Sequence, residues 1–186
     1  MTTLNGIDDL VVALRELGEV LQPVRVAATL RGVRIDPRTL EPYFSWAPGR
    51  YTRNLVARDA AFELIAICWD RDARSAIHNH ADSDCAFVLQ RGTITCENYR
   101  AAWPDGSGKG RCDLRKASTR ILHEGEIDMR SGHLSVHRVG ACDGRAVTLH
   151  VYAKPIDACT VFEEDGSARV VRSRYDSVPA SVSAQT

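Results

Sequence analysis

The hydrophobic pattern changes period part-way along the chain. Ile7, Leu10, Val11, Leu14, Leu17 and Leu21 recur at helical spacing, with Asp8, Arg15, Glu16 and Glu19 off that stripe. This predicts an amphipathic helix from Ile7 to Leu21, with Gly18 tolerated inside it at a modest cost. Pro23 suits the first turn of a second short helix running to Arg31, and Gly32 stops it. Asp36-Pro37 caps a further turn before Tyr43. From residue 51 onward the pattern becomes that of strands. Phe62–Trp69, Ala86–Leu89, Thr93–Tyr99 and Ala146–Tyr152 are short apolar or alternating runs, separated by turns rich in Gly, Asp, Asn and Ser. That arrangement predicts a mainly β fold, an antiparallel sandwich or small barrel, preceded by helices. Trp103–Gly110 reads as a loop and Ser177–Thr186 as a frayed tail.

The run at 146–152 has two different faces. Val147, Leu149 and Val151 make one apolar face, and Thr148, His150 and Tyr152 make the other. A polar trio on an apolar strand lines either solvent or the lumen of a small barrel, and the pattern alone leaves both open.

Composition narrows the class. The chain has 186 residues, enough for one domain with a sizeable core and a small helical addition. The expected organisation is one unit over residues 1–176, with a helical segment at 7–44 and a β-barrel at 45–172. The 24 basic and 24 acidic residues balance. No basic stripe interleaved with aromatics is present, so a nucleic-acid partner is not expected. No run reaches the roughly 20 apolar residues of a membrane span, and the first residues lack a signal-peptide pattern. The expectation is a cytoplasmic protein with no membrane partner, and a monomer. Six cysteines (Cys68, Cys85, Cys96, Cys112, Cys142 and Cys159) are scattered without CxxC spacing, which argues against a zinc ribbon or a redox pair. In a reducing compartment they are free thiols.

The candidate chemistry begins at Ile77-His78-Asn79-His80. On an extended strand, residues i and i+2 point the same way, about 6–7 Å apart, so two imidazoles can converge on one ion. Imidazole suits iron, zinc, copper or nickel. A third ligand is needed, and Asp82, Asp84, His123, His133, His137 and His150 are candidates. A carboxylate would complete a two-His-one-carboxylate set, whereas an all-His set would be neutral and leave the metal's full charge available to an anionic substrate. His133 and His137 share a face but lie about 13 Å apart on a straight strand, so both cannot join His78 and His80 unless the chain bends.

With these residues laid out, the chain resembles the cysteine dioxygenase family, thiol dioxygenases of the cupin superfamily. The resemblance covers roughly residues 45–165. Its motifs are Tyr51-Thr52-Arg53-Asn54-Leu55, then Cys68-Trp69 with Ile77–His80 and Cys85, then His137-Arg138-Val139. The last is Leu149-His150-Val151-Tyr152, with Pro155, Asp157 and Cys159 after it. It implies a cupin-type β-barrel with N-terminal helices packed on it. It implies Fe(II) on His78, His80 and His137, and so selects His137 over His133. It implies that Arg53 holds a substrate carboxylate, for which arginine's planar fork is suited. Relatives acting on 3-mercaptopropionate carry glutamine there, so Arg53 points to L-cysteine.

The resemblance further implies a Cys85–Tyr152 thioether as a protein-derived cofactor. His150 would orient the Tyr152 hydroxyl, with Thr148 beside it. Tyr51 and Trp69 would stand on the pocket wall and Cys159 at its mouth. The implied reaction joins L-cysteine and O2 to give cysteine sulfinic acid without NAD or oxoglutarate. The alternatives are a dioxygenase for 3-mercaptopropionate or cysteamine, a non-catalytic cupin sensor, and a zinc or nickel isomerase.

Overall fold

The computed structural model describes residues 6–31, 35–104, 106, 110–132 and 135–179. Three helices come first: α1 (Ile7–Arg15), α2 (Pro23–Arg31) and α3 (Pro37–Leu40), the last followed by a 3-10 turn at Glu41–Tyr43. The first helix is shorter than its apolar stripe predicts. It ends at Arg15, and Gly18 sits at φ +97° in the turn beyond it rather than inside the helix. Leu17 and Gly18 donate to Leu14 and Arg15, tightening the end into a turn, yet Leu21 is still buried. The periodicity therefore marks the buried face correctly but not the helix end, because glycine's tolerance of positive φ sets the reversal. The second helix spans the expected residues, and Gly32 lies outside those described. Asp36 caps α3 by accepting from the Arg38 amide at 2.9 Å.

Nine strands follow: β1 (Tyr51–Arg58), β2 (Glu63–Trp69), β3 (Ile77–His78), β4 (Asp84–Ala102), β5 (Asp113–Leu122), β6 (Ile127–Arg130), β7 (Val136–Ala153), β8 (Ala158–Phe162) and β9 (Ala168–Arg172). The runs 86–89 and 93–99, separate strands in the sequence reading, are one 19-residue strand, β4. Likewise the histidine segment after His133 and the run 146–152 belong to one 18-residue strand, β7. Strands β4 and β7 pair antiparallel along their length, with register shifts on either side of Arg91. Gly92 takes φ +86°, and Asp143 and Gly144 opposite take +60° and +130°. The two strands thus bend together. Their outer halves pair with β6 and β2, and their other halves with β5 and β3. One continuous ladder curls into the two walls of a cupin-type barrel.

Strand β5 has almost no buried position, which is why its polar sequence carries no alternation signal. It is an edge strand, paired only with β4 among the described strands. Strand β2 is buried on both faces. Leu64, Ala66 and Cys68, with Val147, Leu149 and Val151 of β7, pack against Ile7, Leu10, Leu14, Val26 and Leu30 of the helices. Ile65, Ile67 and Trp69, with Cys85, Phe87, Leu89 and Tyr152, fill the barrel. Thr148, His150 and Tyr152 therefore face the lumen, with solvent exposures of 0, 4 and 2%. Ser177, assigned to a tail from sequence, is bound to β1: its carbonyl accepts from the Leu55 amide at 3.0 Å, and its hydroxyl donates to Asn54 at 2.8 Å. Residues 180–186 lie outside those described. Among the described residues no helix is long and apolar enough to cross a membrane.

The bend leaves no room for a side chain at residue 92. A Cβ there would lie 2.5 Å from the Arg145 carbonyl oxygen, at a φ that L residues rarely adopt. Gly92→Ala is expected to cost about 2–3 kcal/mol and to lower Tm by roughly 5–10 °C in thermal unfolding monitored by circular dichroism. An unchanged Tm would show that the bend is not constrained at this point.

Candidate metal centre

His78 ends β3 and pairs directly with His137 of β7, while its other neighbour across the ladder is Val161 of β8. His80 follows in the next loop. That loop is pinned by Asn79: its amide donates to the Thr160 carbonyl at 3.1 Å, and its side-chain oxygen accepts from the Thr160 and Ala81 amides. Ala81 at φ +50° completes the turn. The three imidazoles converge, with ring centroids 4.4, 4.8 and 5.2 Å apart, and one ligand nitrogen from each lies within 4.8 Å of the others.

The tautomers follow from hydrogen bonding. His78 Nδ1 faces the Ala76 carbonyl and His137 Nδ1 faces the Ser135 carbonyl, each at 3.0 Å. A carbonyl oxygen only accepts, so Nδ1 carries the hydrogen and Nε2 keeps its lone pair, as metal-ligating histidines require. Burial depresses all three rings: His78 is pushed down to about 4, and His80 and His137, lowered further by neighbouring histidines, fall well below the ordinary imidazole range. They are neutral at pH 7 and ready to ligate without releasing protons. His80 Nδ1 is buried with no hydrogen-bond partner among the described residues. Three neutral imidazole nitrogens brought together have no donor or cation between them among the described residues, and a bound cation would fill that place. The residues present thus fit a divalent transition metal.

The other ligand candidates fall elsewhere. Asp82 is exposed, with Lys154 at 4.0 Å, and Asp84 opens β4 and accepts from the Ser131 hydroxyl at 2.9 Å. His123 is exposed in the turn before β6. His133 lies outside the described residues. No carboxylate joins the described cluster.

Of the three histidines, His78 reaches the wall of a cavity of about 580 Å3, beside Tyr51, Arg53 and Cys159. Cys159 is half-buried there, and burial raises its thiol above the ordinary range. Arg53 projects from β1. Its guanidinium carbon stands 5.7 Å from the Tyr152 ring centroid, Nη2 donates to Glu63 at 3.2 Å, and Nε is buried without a partner among the described residues. Tyr152 in turn packs edge-on against His80, ring centroids 5.1 Å apart. Burial pushes its phenol far up the pH scale, so it stays protonated.

Behind these groups runs a polar chain. Trp69 Nε1 donates to Thr148 Oγ1 at 2.9 Å, Thr148 Oγ1 is 2.9 Å from His150 Nε2, and Cys85 Sγ is 3.8 Å from His150 Nδ1. Trp69 therefore sits behind Tyr51, rings 5.0 Å apart, rather than on the cavity wall. The two nitrogens of His150 face a hydroxyl and a sulfur, and its ring stacks on that of Tyr152 at 6.1 Å, so the chain meets the thiol where the sequence reading places the phenol. Cys85 is register partner to Tyr152 across β4 and β7, so the two are direct cross-strand neighbours. Sequence reasoning missed Glu63, Arg58, Tyr175 and Asp176, all tied to Arg53 or its partners. The signal for Glu63 was a carboxylate in an otherwise apolar run, Phe62–Trp69.

Barrel and triplet define a cupin-type protein that presents a three-histidine metal site to a small-molecule pocket. Comparison with known families is more specific: residues 5–165 match the model of cysteine dioxygenase type I, and the chain belongs to that family. Cysteine dioxygenase type 1 of Bos taurus is 32% identical over 161 residues, spanning 84% of this chain and 78% of that protein. The Homo sapiens protein of the same name is 31% identical over the same shares. Among solved structures, a protein with a double-stranded β-helix domain from Klebsiella pneumoniae is similar at 13% identity and a TM-score of 0.47, over 73% of this chain and 94% of that one.

His137→Ala is expected to weaken Fe(II) binding by more than about 100-fold, since even an outer partner of a ligand is worth roughly 10–100-fold. His133→Ala is expected to leave it unchanged. Metal content after gel filtration, with calorimetric titration of Fe(II), checks both, and the reverse pattern would displace His137 from the ligand set.

Proposed function

We propose that this chain is a thiol dioxygenase that converts L-cysteine and O2 to cysteine sulfinic acid in the cytoplasm. The observation that carries it is the neutral three-histidine cluster, whose His78 shares a cavity wall with Arg53, in a member of the cysteine dioxygenase family. Sulfur loses four electrons and O2 gains four, so thiol plus O2 balances to sulfinic acid with no nicotinamide or oxoglutarate. Fe(II), the metal the family implies, would be held by His78, His80 and His137 and would supply thiol deprotonation and oxygen activation.

The chain's own residues do the rest. Arg53 receives the substrate carboxylate, and its unpartnered Nε is a donor left for that purpose. Tyr152, held neutral by burial, donates its phenolic hydrogen toward the reacting sulfur or oxygen. Tyr51 closes the wall opposite, and Trp69, Thr148 and His150 fix the floor. Cys159 guards the cavity mouth. Cys85 and Tyr152 join as a thioether: an S–H and a ring C–H bond break, an S–C bond forms, and two electrons and two protons pass to O2. Burial keeps the Cys85 thiol protonated, so it is no competing metal ligand.

Oxygen uptake with L-cysteine on iron-loaded protein, with the product identified as sulfinate, tests the activity. No uptake would overturn it. Arg53→Gln is expected to lower kcat/KM for L-cysteine by about 30-fold or more, mostly through KM, and to narrow or invert the preference over 3-mercaptopropionate. An unchanged ratio between the two thiols would remove Arg53 from the site. For the cross-link, wild-type protein after repeated turnover is expected to weigh less than its sequence mass by the two lost hydrogens, and Cys85→Ala is expected to show no such deficit. A wild type with full sequence mass would refute it.

A further inference from the structure

Arg53 is held from three sides by groups outside the metal triplet. Its amide donates to Asp176 Oδ2 at 2.8 Å and its carbonyl accepts from the Asp176 amide at 2.7 Å, so the segment after β9 clasps the backbone. Its guanidinium reaches Glu63, a carboxylate with 0% side-chain exposure on the lumen face of β2, directly opposite Tyr152. Glu63 is itself held by Arg58 Nη1 at 3.5 Å and by the Ile156 amide at 3.3 Å. Arg58 is fixed at its other end, donating to the Tyr175 hydroxyl at 2.7 Å and to Asp157 at 2.6 Å.

Two facts give this cluster a role beyond stability. A carboxylate removed from water is costly unless its lone pairs are filled, and a hydrophobic replacement is often at least as stable, so stability alone does not call for it. The cavity beside the cluster is basic as well. Arg50, Arg53, Arg172 and Arg174 line it against Asp176, which suits an incoming carboxylate. Glu63 occupies one donor of Arg53 and restrains the fork, while Nε stays unpartnered beside the cavity. A restrained fork loses less freedom on binding than a mobile one.

We propose, on the reading of Arg53 as the carboxylate-binding residue, that Glu63 is a positioning and specificity-determining residue, aligned by Arg58 and Tyr175. Through Arg53 it makes the pocket prefer thiols that carry a carboxylate. Position and charge oppose each other here. Deleting the Glu63 charge strengthens the field of Arg53 on an anion but frees its side chain, so the sign of the effect decides between them.

The test is anaerobic calorimetry of L-cysteine and of cysteamine, the same thiol and amine without the carboxylate, on the iron-loaded full chain, alongside steady-state kinetics. Glu63→Gln is expected to weaken L-cysteine binding about tenfold, the scale of one charge-assisted hydrogen bond, and to raise KM alike with kcat within about twofold. Cysteamine binding is expected to stay within about twofold. Tyr175→Phe, which deletes one hydroxyl, is expected to shift L-cysteine the same way by about threefold and decides the matter if Glu63→Gln fails to fold. Equal loss for both thiols, tighter L-cysteine binding, or no change in either overturns the role of Glu63. If wild type itself does not favour L-cysteine over cysteamine, the reading of Arg53 falls first and Glu63 with it. A wild type that discriminates and a Glu63→Gln protein that discriminates to the same degree remove Glu63 alone.

Discussion

The site exists because two long strands bend at the same level. Strand β7 carries His137 in one wall and Thr148, His150 and Tyr152 in the other, and β4 brings Cys85 to face Tyr152. Without the paired kink at Gly92 and at Asp143-Gly144, these residues would lie along one extended ladder, with His137 and Tyr152 tens of ångströms apart at about 3.3 Å per residue. The bend turns distance in sequence into proximity across a lumen. The short β3, wedged beside β7, then needs only two residues to set His78 against His137.

Charge is rationed within that lumen. The imidazoles are neutral because burial disfavours their cations, and the Tyr152 phenol and Cys85 thiol are neutral because burial disfavours their anions. Beside the triplet stands Arg53 with its buried counter-ion Glu63, and the cavity wall adds Arg50, Arg172, Arg174 and Asp176. A second buried pair, Arg130 with Asp128, stands on β6, with Arg130 also donating to Asn98, the register partner of His137. A neutral ligand set would keep a bound divalent ion's charge unspent, and on the proposed function Arg53 would take the substrate's carboxylate while the metal takes its thiol end.

Much of this was legible in the sequence where one physical cause acts alone. The alternation at 146–152 separates helix-packed from lumen-facing side chains, because both faces are buried and each keeps its own chemistry. The His-x-His motif and Arg53 stand out as residue types that a core does not call for. Legibility fails where a feature depends on partners distant in the chain. The fusion of 86–89 with 93–99 is invisible because a glycine bend and a turn look alike until the partner strand is known. Strand β5 is held at the sheet edge through its pairing with β4, and Ser177 by hydrogen bonds to a strand more than a hundred residues earlier.

Glu63 illustrates the same limit from the other direction. In the run Phe62–Trp69 it is a lone charge among apolar neighbours, a local conflict that sequence rules register as an error. Only the fold shows its two arginines, Arg58 directly across the ladder on β1 and Arg53 further along that strand, and the tyrosine beyond them. Conflicts between local pattern and burial concentrate at functional sites, because a core left to itself would fill the position with a hydrophobe. On the proposed function, a carboxylate at 0% exposure that touches Arg53 on the cavity wall is better explained by what that arginine would bind than by what the barrel needs to fold.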